Sequence, residues 1–278
     1  MYPLETARLY RPLLHALTRA AVLVLTGADL ASAAETPVPP TAEEPAPFSR
    51  MRPGNVLAPW MPITIAFGKR ATHYDLAEDA GKVVLHAVAD NAASGLAYRT
   101  DVVLANAPDI TWRWKIAGLI RDADPYKASR EDAPARIVLE FDGDKTKLPL
   151  VERGIYRIAE RVSGRTLPYA TLMYIWSNRG SVGTIIPNPR TRRVQMIVAS
   201  SGSAGVGTWQ SLTRDALADF RRAFGEEPGR LIAVGVLTDT DNTDGHAEAW
   251  YGDIRLEGGH RPRPAPDDNY RLARYAWE

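Results

Sequence analysis

Several short segments of the chain alternate between apolar and polar residues. In the segment DITWRWKI, residues 109–116, every second residue is a large apolar one. The same period of two recurs in residues 135–141, 172–178, 194–200 and 249–256, where it groups Trp250 with Ile254 and Leu256. Successive side chains of a β-strand point to opposite faces of its sheet. The pattern therefore predicts strands with one buried face, and it places Trp250 on that face.

Two further segments are almost uniformly apolar. They are KVVLHAVA at residues 82–89 and RLIAVGVLT at residues 230–238. Such runs are typical of central strands that are covered on both faces. His86, which lies inside the first run, is expected to be a hydrogen-bonded core residue rather than a metal ligand.

Helical spacing occurs in two places. Residues 211–229 contain a candidate cap at Thr213 and a helix stop at Gly225, and residues 150–164 give a weaker helical pattern. Regular alternation of strands and helices is absent. The sequence therefore predicts a mainly β fold, a two-sheet antiparallel β-sandwich of jelly-roll type with one or two peripheral helices.

The ends of the chain differ in composition from its middle. Arginines, then the short apolar run 20–25, then small residues around 31–34 form the layout of a signal peptide over residues 1–34. An amphipathic N-terminal helix is the alternative. Residues 35–55 and 258–278 are rich in proline and predict a linker and a linker with a C-terminal tail, around a sandwich domain at 56–257. We expect a periplasmic or secreted bacterial protein with no transmembrane segment in the mature chain.

Charge and cysteine content exclude several classes of function. The chain has 34 basic and 33 acidic residues, and removing residues 1–34 takes away three basic and two acidic ones, which leaves a neutral chain. The net charge thus gives no support for binding to nucleic acid or to anionic lipid. There is no cysteine, which excludes thiolate catalysis, disulfides and cysteine-ligated zinc.

Five strings occur in a characteristic order along the middle of the chain. They are ITWRWKI, EDAPARIVLEF, YIWSNRGSVGTIIPNP, RRAFGEEP and GVLTDTDNTDGHAEAWYGDI. Together they resemble the exported bacterial family known as domain of unknown function 3047, over roughly residues 56–256. The resemblance implies a periplasmic or secreted β-sandwich, and it carries no assigned ligand.

The string AWYGDIRL has a second, looser resemblance. It is similar to the closing strand of jelly-roll carbohydrate-binding modules, in which an aspartate before an apolar residue helps to hold a structural calcium ion. Asp253 stands at that position. Gly252 precedes it where those modules often have a second aspartate, so the resemblance is incomplete.

The segment DTDNTDG, residues 239–245, is dense in oxygen ligands. An EF-hand loop that began at Asp239 would need a glycine and a glutamate where Asp244 and Trp250 stand, so that motif is excluded. A different calcium site remains a hypothesis, and its ligands would be Asp239, Asp241, Asn242 and Asp253. The same residue types also form ordinary turns, so a turn between two strands is the alternative.

Glu140 and Asp142 suggest a catalytic alternative. They stand two residues apart on one predicted strand, so both carboxylates would point to one side. This resembles the Glu-x-Asp-x-x-Glu strand of concanavalin-like glycoside hydrolases. The third acid, Asp144, is an aspartate that comes one residue early in an apparent turn. A solvated strand end is the simpler interpretation.

Polar residues beside apolar strands are costly to bury without a partner, so they are candidates for ligand binding. Four residues meet this criterion, Asp132, Arg136, Asn178 and Arg179, and Trp176 is a fifth candidate as an aromatic ring that could stack on a sugar. A buried structural pair of Asp132 and Arg136 explains two of them equally well. Trp112, Trp114, Trp176 and Trp250 are expected to pack in the core, with stacking on a sugar ring as the alternative.

The sequence thus predicts an exported, non-catalytic binding module. Its most plausible ligand is a glycan or another cell-envelope polymer, and a single structural Ca²⁺ is its candidate ion. A glycoside hydrolase or lyase that uses Glu140 and Asp142 is one alternative. A scaffold that binds another envelope protein is the other.

Overall fold

A computed structural model of the chain describes residues 44–56, 58–64, 68–163, 166–189 and 191–258, together with the short strand Val24–Leu25. The predicted signal peptide, apart from that strand, and the predicted C-terminal tail lie outside the described residues. No helix in the described part of the chain is long and apolar enough to span a bilayer.

The described chain folds into strands with two α-helices. The strands are β1 (Val24–Leu25), β2 (Gly54–Asn55), β3 (Met61–Thr64), β4 (His73–Asp79), β5 (Lys82–Asp90), β6 (Ala93–Val102), β7 (Asp109–Ile116), β8 (Ala133–Phe141), β9 (Ala170–Ser177), β10 (Ile185–Pro187), β11 (Val194–Ser201), β12 (Gln210–Asp215), β13 (Leu231–Asp239), β14 (His246–Tyr251) and β15 (Arg255–Glu257). The helices are α1 (Leu150–Ser163) and α2 (Ala216–Phe224), and two 3-10 turns lie at Phe48–Arg50 and Lys145–Lys147.

These strands form two sheets. The eight-stranded sheet has the order β1-β3-β6-β13-β8-β9-β11-β10, and the seven-stranded sheet has the order β12-β7-β14-β5-β4-β2 with β15 beside β7. The pairing is antiparallel except between β9 and β11, which run parallel. The chain crosses repeatedly from one sheet to the other, as from β5 to β6 to β7 to β8. The predicted mainly β, two-sheet sandwich is confirmed.

The main core lies between the two sheets, and aromatic rings fill its centre. Trp112 stacks on Tyr174 at 5.1 Å between ring centroids, and Trp114 lies 6.0 Å from Trp176. One partner of each pair comes from β7 and the other from β9, so these contacts join the two sheets. The predicted inward parity of β7 is confirmed, and Trp176 packs in this core as well.

The sequence predicts that Trp250 faces the core and that His86 lies within it, and both predictions are wrong. In β14 the inward residues are Ala249 and Tyr251, whereas Trp250 points outward and stacks on His86 of β5. The period of two fails here because residues 252–254 form a break between β14 and β15. The alternation that places Ile254 in the core therefore does not continue back through the break into β14.

The outer face of the eight-stranded sheet is also buried. It carries a second apolar cluster from most of its strands, which includes Ile63, Ala97, Val138, Met173, Ile175, Met196 and Val198. The sheet is curled into a half-barrel, and β6 and β13 approach closely at two glycines. A Cβ on Gly95 would lie 2.4 Å from the carbonyl oxygen of Val236, and a Cβ on Gly235 would lie 2.8 Å from that of Leu96. Only a residue without a side chain fits at these two positions.

The two predicted helices are present. The cap of α2 is Asp215, whose carboxylate accepts a hydrogen bond from the N–H of Ala218 at 2.7 Å. The predicted cap, Thr213, lies within β12 instead, because the strand continues to the helix without a loop. Gly225 ends α2 in the left-handed conformation, as expected. Phe220 joins α2 to the core at 4.6 Å from Phe141.

The segment predicted as a proline-rich linker contributes one residue to the core. Phe48 is fully buried and stacks on Trp60, with 4.6 Å between ring centroids. Ordered structure therefore extends at least to this residue on the N-terminal side of the predicted domain boundary at residue 56.

We expect Gly95→Ala to destabilise the fold by about 1–3 kcal/mol, because the new methyl group would overlap with backbone that cannot move aside. Gly118→Ala is the matched control, since a Cβ there has no neighbour within 4 Å in the part of the chain that the structure describes, and its effect should stay within about 0.5 kcal/mol. Urea unfolding of both variants measures the difference. Equal midpoints would contradict the tight approach of β6 and β13.

Candidate functional site

The acidic loop, residues 239–245 between β13 and β14, is held in place by Asp132. One carboxylate oxygen of Asp132 accepts hydrogen bonds from the backbone N–H and side-chain amide of Asn242, at 3.1 and 3.0 Å. The other accepts from the backbone N–H and hydroxyl of Thr243, at 2.8 and 2.6 Å. Asp244 takes a left-handed conformation with φ of 50°, which closes the turn. The loop is therefore a turn whose conformation is fixed by hydrogen bonds to Asp132, the residue that precedes β8.

Arg136 lies beneath this loop and is only 2% exposed. Its Nε and Nη2 donate to the two carboxylate oxygens of Asp239, each at 3.0 Å, and its Nη1 donates to Glu131 at 2.9 Å. A further bond runs from Nη2 to the backbone carbonyl of Glu131. Arg136 therefore pairs with Asp239 and Glu131 rather than with Asp132. Its ionic partners come from the segment before β8 and from the end of β13.

Three carboxylates of this region lie close enough to hold a metal ion. Asp132, Asp239 and Asp241 each offer an oxygen within 4.8 Å of the others. Burial raises the pKa of Asp239, and the nearby carboxylates raise it further. The positive charge of Arg136 lowers this pKa in part. The oxygens of Asp132 and Asp239 already accept protein hydrogen bonds, and Asp241 forms an ion pair with Lys69 at 2.9 Å. A metal ion would have to compete with these partners.

The four residues predicted as metal ligands divide into two places. Asp239 and Asp241 belong to the three-carboxylate group, and the amide of Asn242 lies beside it on Asp132. Asp253 instead accepts hydrogen bonds from the N–H and hydroxyl of Ser49, at 2.9 and 2.5 Å. Asp253 thereby fixes the 3-10 turn at residues 48–50.

The other predicted ligand-binding residues lie near the end of β9. Arg179 forms a two-pronged ion pair with Asp124, with its Nε 3.1 Å from one carboxylate oxygen, and its guanidinium lies 5.3 Å from the ring of Tyr126. Asn178 donates to the carbonyl of Ile120 at 2.6 Å. Trp176, although close in sequence, points into the core between the sheets. Asn178 and Arg179 thus share a surface region that Trp176 does not reach.

The two candidate catalytic acids have different surroundings. Glu140 is 3% exposed on the outer face of β8, and its Oε1 has no hydrogen-bond partner among the described residues. Burial raises the pKa of Glu140 to about 8, although Arg99 lowers it in part. Asp142 is exposed and accepts a bond from the N–H of Gly143, while Asp144 caps the 3-10 turn at 145–147. Although Glu140 and Asp142 stand two residues apart, they do not form a pair of acids in the same surroundings.

A polar and aromatic surface on the seven-stranded sheet was not predicted. We call it the polar platform, and it comprises outward-facing residues of β4, β5, β7 and β14 with one residue that precedes β12. The members are Asp75, Asp79, His86, Arg113, Lys115, Trp209, Glu248 and Trp250. Within it, Lys115, Trp250, His86 and Asp75 form one row across four neighbouring strands.

His86 is the centre of this platform. Its Nδ1 lies 3.0 Å from a carboxylate oxygen of Asp75, and its Nε2 lies 2.8 Å from one of Glu248. Ionised carboxylates only accept hydrogen bonds, and a neutral imidazole has a single N–H to donate. Both contacts are therefore hydrogen bonds when His86 is protonated on both nitrogens. The ring also stacks on Trp250, with 5.1 Å between centroids.

Cations cover the tryptophans of the platform. Lys115 Nζ lies 4.1 Å from the ring centroid of Trp250, and the guanidinium of Arg113 lies 4.3 Å from that of Trp209. Lys115 also forms an ion pair with Asp79. Opposite charges and aromatic rings thus alternate over the surface. The sequence signal for this surface is the set of polar residues that alternates with the core residues of β7, namely Thr111, Arg113 and Lys115.

The chain matches the family described as "Protein of unknown function (DUF3047)" over residues 58–255. It belongs to the DUF3047 family. The matched region includes nearly all of both sheets, the acidic loop, Arg136 and the polar platform, so all of these features lie within the DUF3047 domain. The comparison with curated proteins found no match.

The buried carboxyl group of Glu140 predicts a specific pH dependence for this DUF3047 domain. Because the pKa is about 8 in the folded state and near 4.5 in the unfolded state, the native protein keeps a proton that the unfolded chain releases. Its contribution to stability therefore falls as pH rises from about 4.5 to about 8. We expect Glu140→Gln to raise the melting temperature relative to wild type by several degrees at pH 8.5 and by much less at pH 5.

Thermal unfolding of wild type, Glu140→Gln and the exposed control Asp142→Asn at both pH values tests this. Comparison with wild type removes the pH dependence of other groups, including Asp239. A difference between Glu140→Gln and wild type that is the same at pH 5 and pH 8.5 would show that Glu140 is ionised in the folded protein at both.

Proposed function

We propose that this DUF3047 protein is an exported, non-catalytic binding module, periplasmic or secreted, that binds a glycan or a related cell-envelope polymer through the polar platform. The observation that carries the proposal is the composition of this surface. Carboxylate, imidazole, guanidinium and ammonium groups stand beside two partly exposed tryptophans on one face of a sheet. Hydroxyl-rich ligands are bound by such polar groups next to aromatic rings.

The shape of the platform suits an extended ligand. Its members lie on five consecutive strands of the sheet or next to them, from β12 to β4. Neighbouring strands are ~4.8 Å apart, so the platform reaches about 19 Å across the strands. This is the dimension of a short linear oligomer rather than of a single small molecule. The row of Lys115, Trp250, His86 and Asp75 runs in the same direction.

The tryptophans contribute in a particular way. His86 and Lys115 come from the strands on either side of β14, so they flank the ring of Trp250 on both faces. Stacking of a sugar ring on Trp250 is therefore disfavoured. Trp250 instead holds His86 and Lys115 in position, and the polar ends of the platform residues make the contacts with hydroxyl groups.

The surroundings of the two candidate acids, Glu140 and Asp142, support a non-catalytic role. A glycosidase needs two acidic groups on opposite sides of the scissile bond, one of them ionised. The proton that Glu140 retains near neutral pH would suit a general acid, but its side chain is only 3% exposed and does not face a bound substrate, while Asp142 is exposed and bonded to its own turn. Hydrolysis of a bound glycan that Glu140→Gln abolishes while binding persists would replace this proposal with the hydrolase alternative.

Glycan binding is tested by affinity electrophoresis of the full chain against soluble polysaccharides and by cosedimentation with insoluble cell-wall polymers. We expect Arg113→Gln and Glu248→Gln each to weaken binding about tenfold, which corresponds to the loss of one hydrogen bond to a charged group. Arg221→Gln is the matched control, because Arg221 lies on α2 and pairs with Glu227, and neither residue belongs to the polar platform.

The same experiment separates the alternatives. Wild-type binding to none of the polymers would overturn the glycan proposal and favour the scaffold that binds an envelope protein. Binding that both platform variants retain in full would show that the ligand contacts another surface, such as the region of Asn178 and Arg179.

The calcium hypothesis has its own test. We propose that the acidic loop is held without an ion, because each carboxylate of the three-carboxylate group already has a partner in the protein. Arg136 bonds Asp239, Lys69 pairs with Asp241, and Asn242 and Thr243 donate to Asp132. We expect the same melting temperature in millimolar Ca²⁺ and in EDTA. An increase with Ca²⁺ that Asp241→Asn removes would contradict this and establish a structural Ca²⁺ at Asp132, Asp239 and Asp241.

A further inference from the structure

The helix α1 exposes more apolar surface than its packing requires. Five large hydrophobic residues are exposed in the described part of the chain, and three of them lie on this helix. Leu150 is 79% exposed, Val151 76% and Ile158 47%. Exposed apolar residues are ordinary when they are scattered. Three on one helix of 14 residues mark a surface that the fold itself does not use.

The same side of α1 is basic. At 100° per residue, an outward arc of about 160° contains the three exposed aliphatic residues and Gly154 together with Arg153, Arg157 and Arg161. All three arginines are exposed, and they recur every four residues. Neither acid of the helix lies on this arc: Glu152 falls on the opposite side, and Glu160 lies just beyond the edge of the arc toward the inner side, where Lys145 and the N–H of Leu167 hold it. The arc therefore combines apolar groups with a row of positive charges.

The opposite side of α1 fixes the helix to the domain. Tyr156 is buried and donates a hydrogen bond to the carbonyl of Tyr169 at 3.2 Å. Glu160 accepts from Lys145 at 2.6 Å and from the N–H of Leu167 at 2.9 Å. These contacts hold the helix on its inner side. The domain thus presents the outward arc as a formed surface.

We propose that the outward arc of α1 is a docking surface for an anionic phospholipid membrane. A helix with arginines beside exposed aliphatic side chains can lie in the plane of a membrane, with the aliphatic groups in the lipid and the guanidinium groups at the phosphates. Each basic residue near an anionic surface adds to the attraction. The neutral total charge of the chain hides this feature, because the acidic residues that balance it lie elsewhere.

The test is cosedimentation of the full chain with vesicles of phosphatidylglycerol and phosphatidylethanolamine, compared with vesicles of phosphatidylcholine. All variants are made in the same chain, so that any contribution of the apolar run at residues 20–25 is constant. One variant combines Arg153→Gln, Arg157→Gln and Arg161→Gln, and a second combines Leu150→Ser and Val151→Ser. The controls are Arg221→Gln, which removes an exposed arginine, and Val182→Ser, which removes an apolar residue that is 56% exposed.

We expect the wild type and both controls to bind anionic vesicles and to release them in high salt. The arginine variant should lose about fivefold in affinity for each arginine, and the serine variant about tenfold or more. Full binding by both helix variants, or equal wild-type binding to neutral and anionic vesicles, would overturn the proposal. So would no binding to any vesicle, which would assign the arc to an acidic protein instead. Because all changes lie off the polar platform, glycan binding is unaffected by either outcome.

Discussion

The buried guanidinium of Arg136 is the constraint on which one end of the sandwich depends. A charge in this position is tolerated only if every donor has a partner, and Asp239 and Glu131 supply those partners from two separate segments. Removing one partner of such a group costs ~3–5 kcal/mol. The ion pairs therefore fix the end of β13 against the start of β8. Asp132, next to Glu131, then clamps the acidic loop, so the conformation of that loop follows from the burial of one arginine.

The sequence predicted the fold well because β7 carries the simplest signal, alternation of buried and partly exposed residues. The strands predicted at residues 135–141 and 172–178 to have one buried face are instead buried on both faces, and β5, predicted to be covered on both faces, has exposed positions on one of them. The prediction failed where that signal is interrupted or hidden. Gly252 and Asp253 break the parity before Ile254, so Trp250 was assigned to the wrong face. Glu131 could not be recognised as a partner of Arg136, because a neighbouring aspartate with the same chemistry stands one residue closer. Contacts between residues a hundred positions apart, such as Arg136 with Asp239, leave no local pattern.

The candidate site shows the same limit. The cost of burying a polar group points to candidate residues in the sequence, but it also points to groups that the fold itself satisfies, such as Asp132 and Arg136. Surface residues such as Lys115 and Glu248 carry no such cost, so they looked like an ordinary solvated face. Their arrangement became visible only when strand order placed β7, β14, β5 and β4 side by side. The outward arc of α1 was hidden in the same way, because the total charge of the chain is near zero.

The bond between Asp253 and Ser49 joins residues that are 204 positions apart in the chain. It holds the 3-10 turn at residues 48–50 against the break between β14 and β15. That turn carries Phe48 into the core, where it stacks on Trp60. Two parts of the chain that are far apart in sequence are therefore tied to each other, and loss of the Asp253 carboxylate would also release the turn that delivers a core aromatic ring.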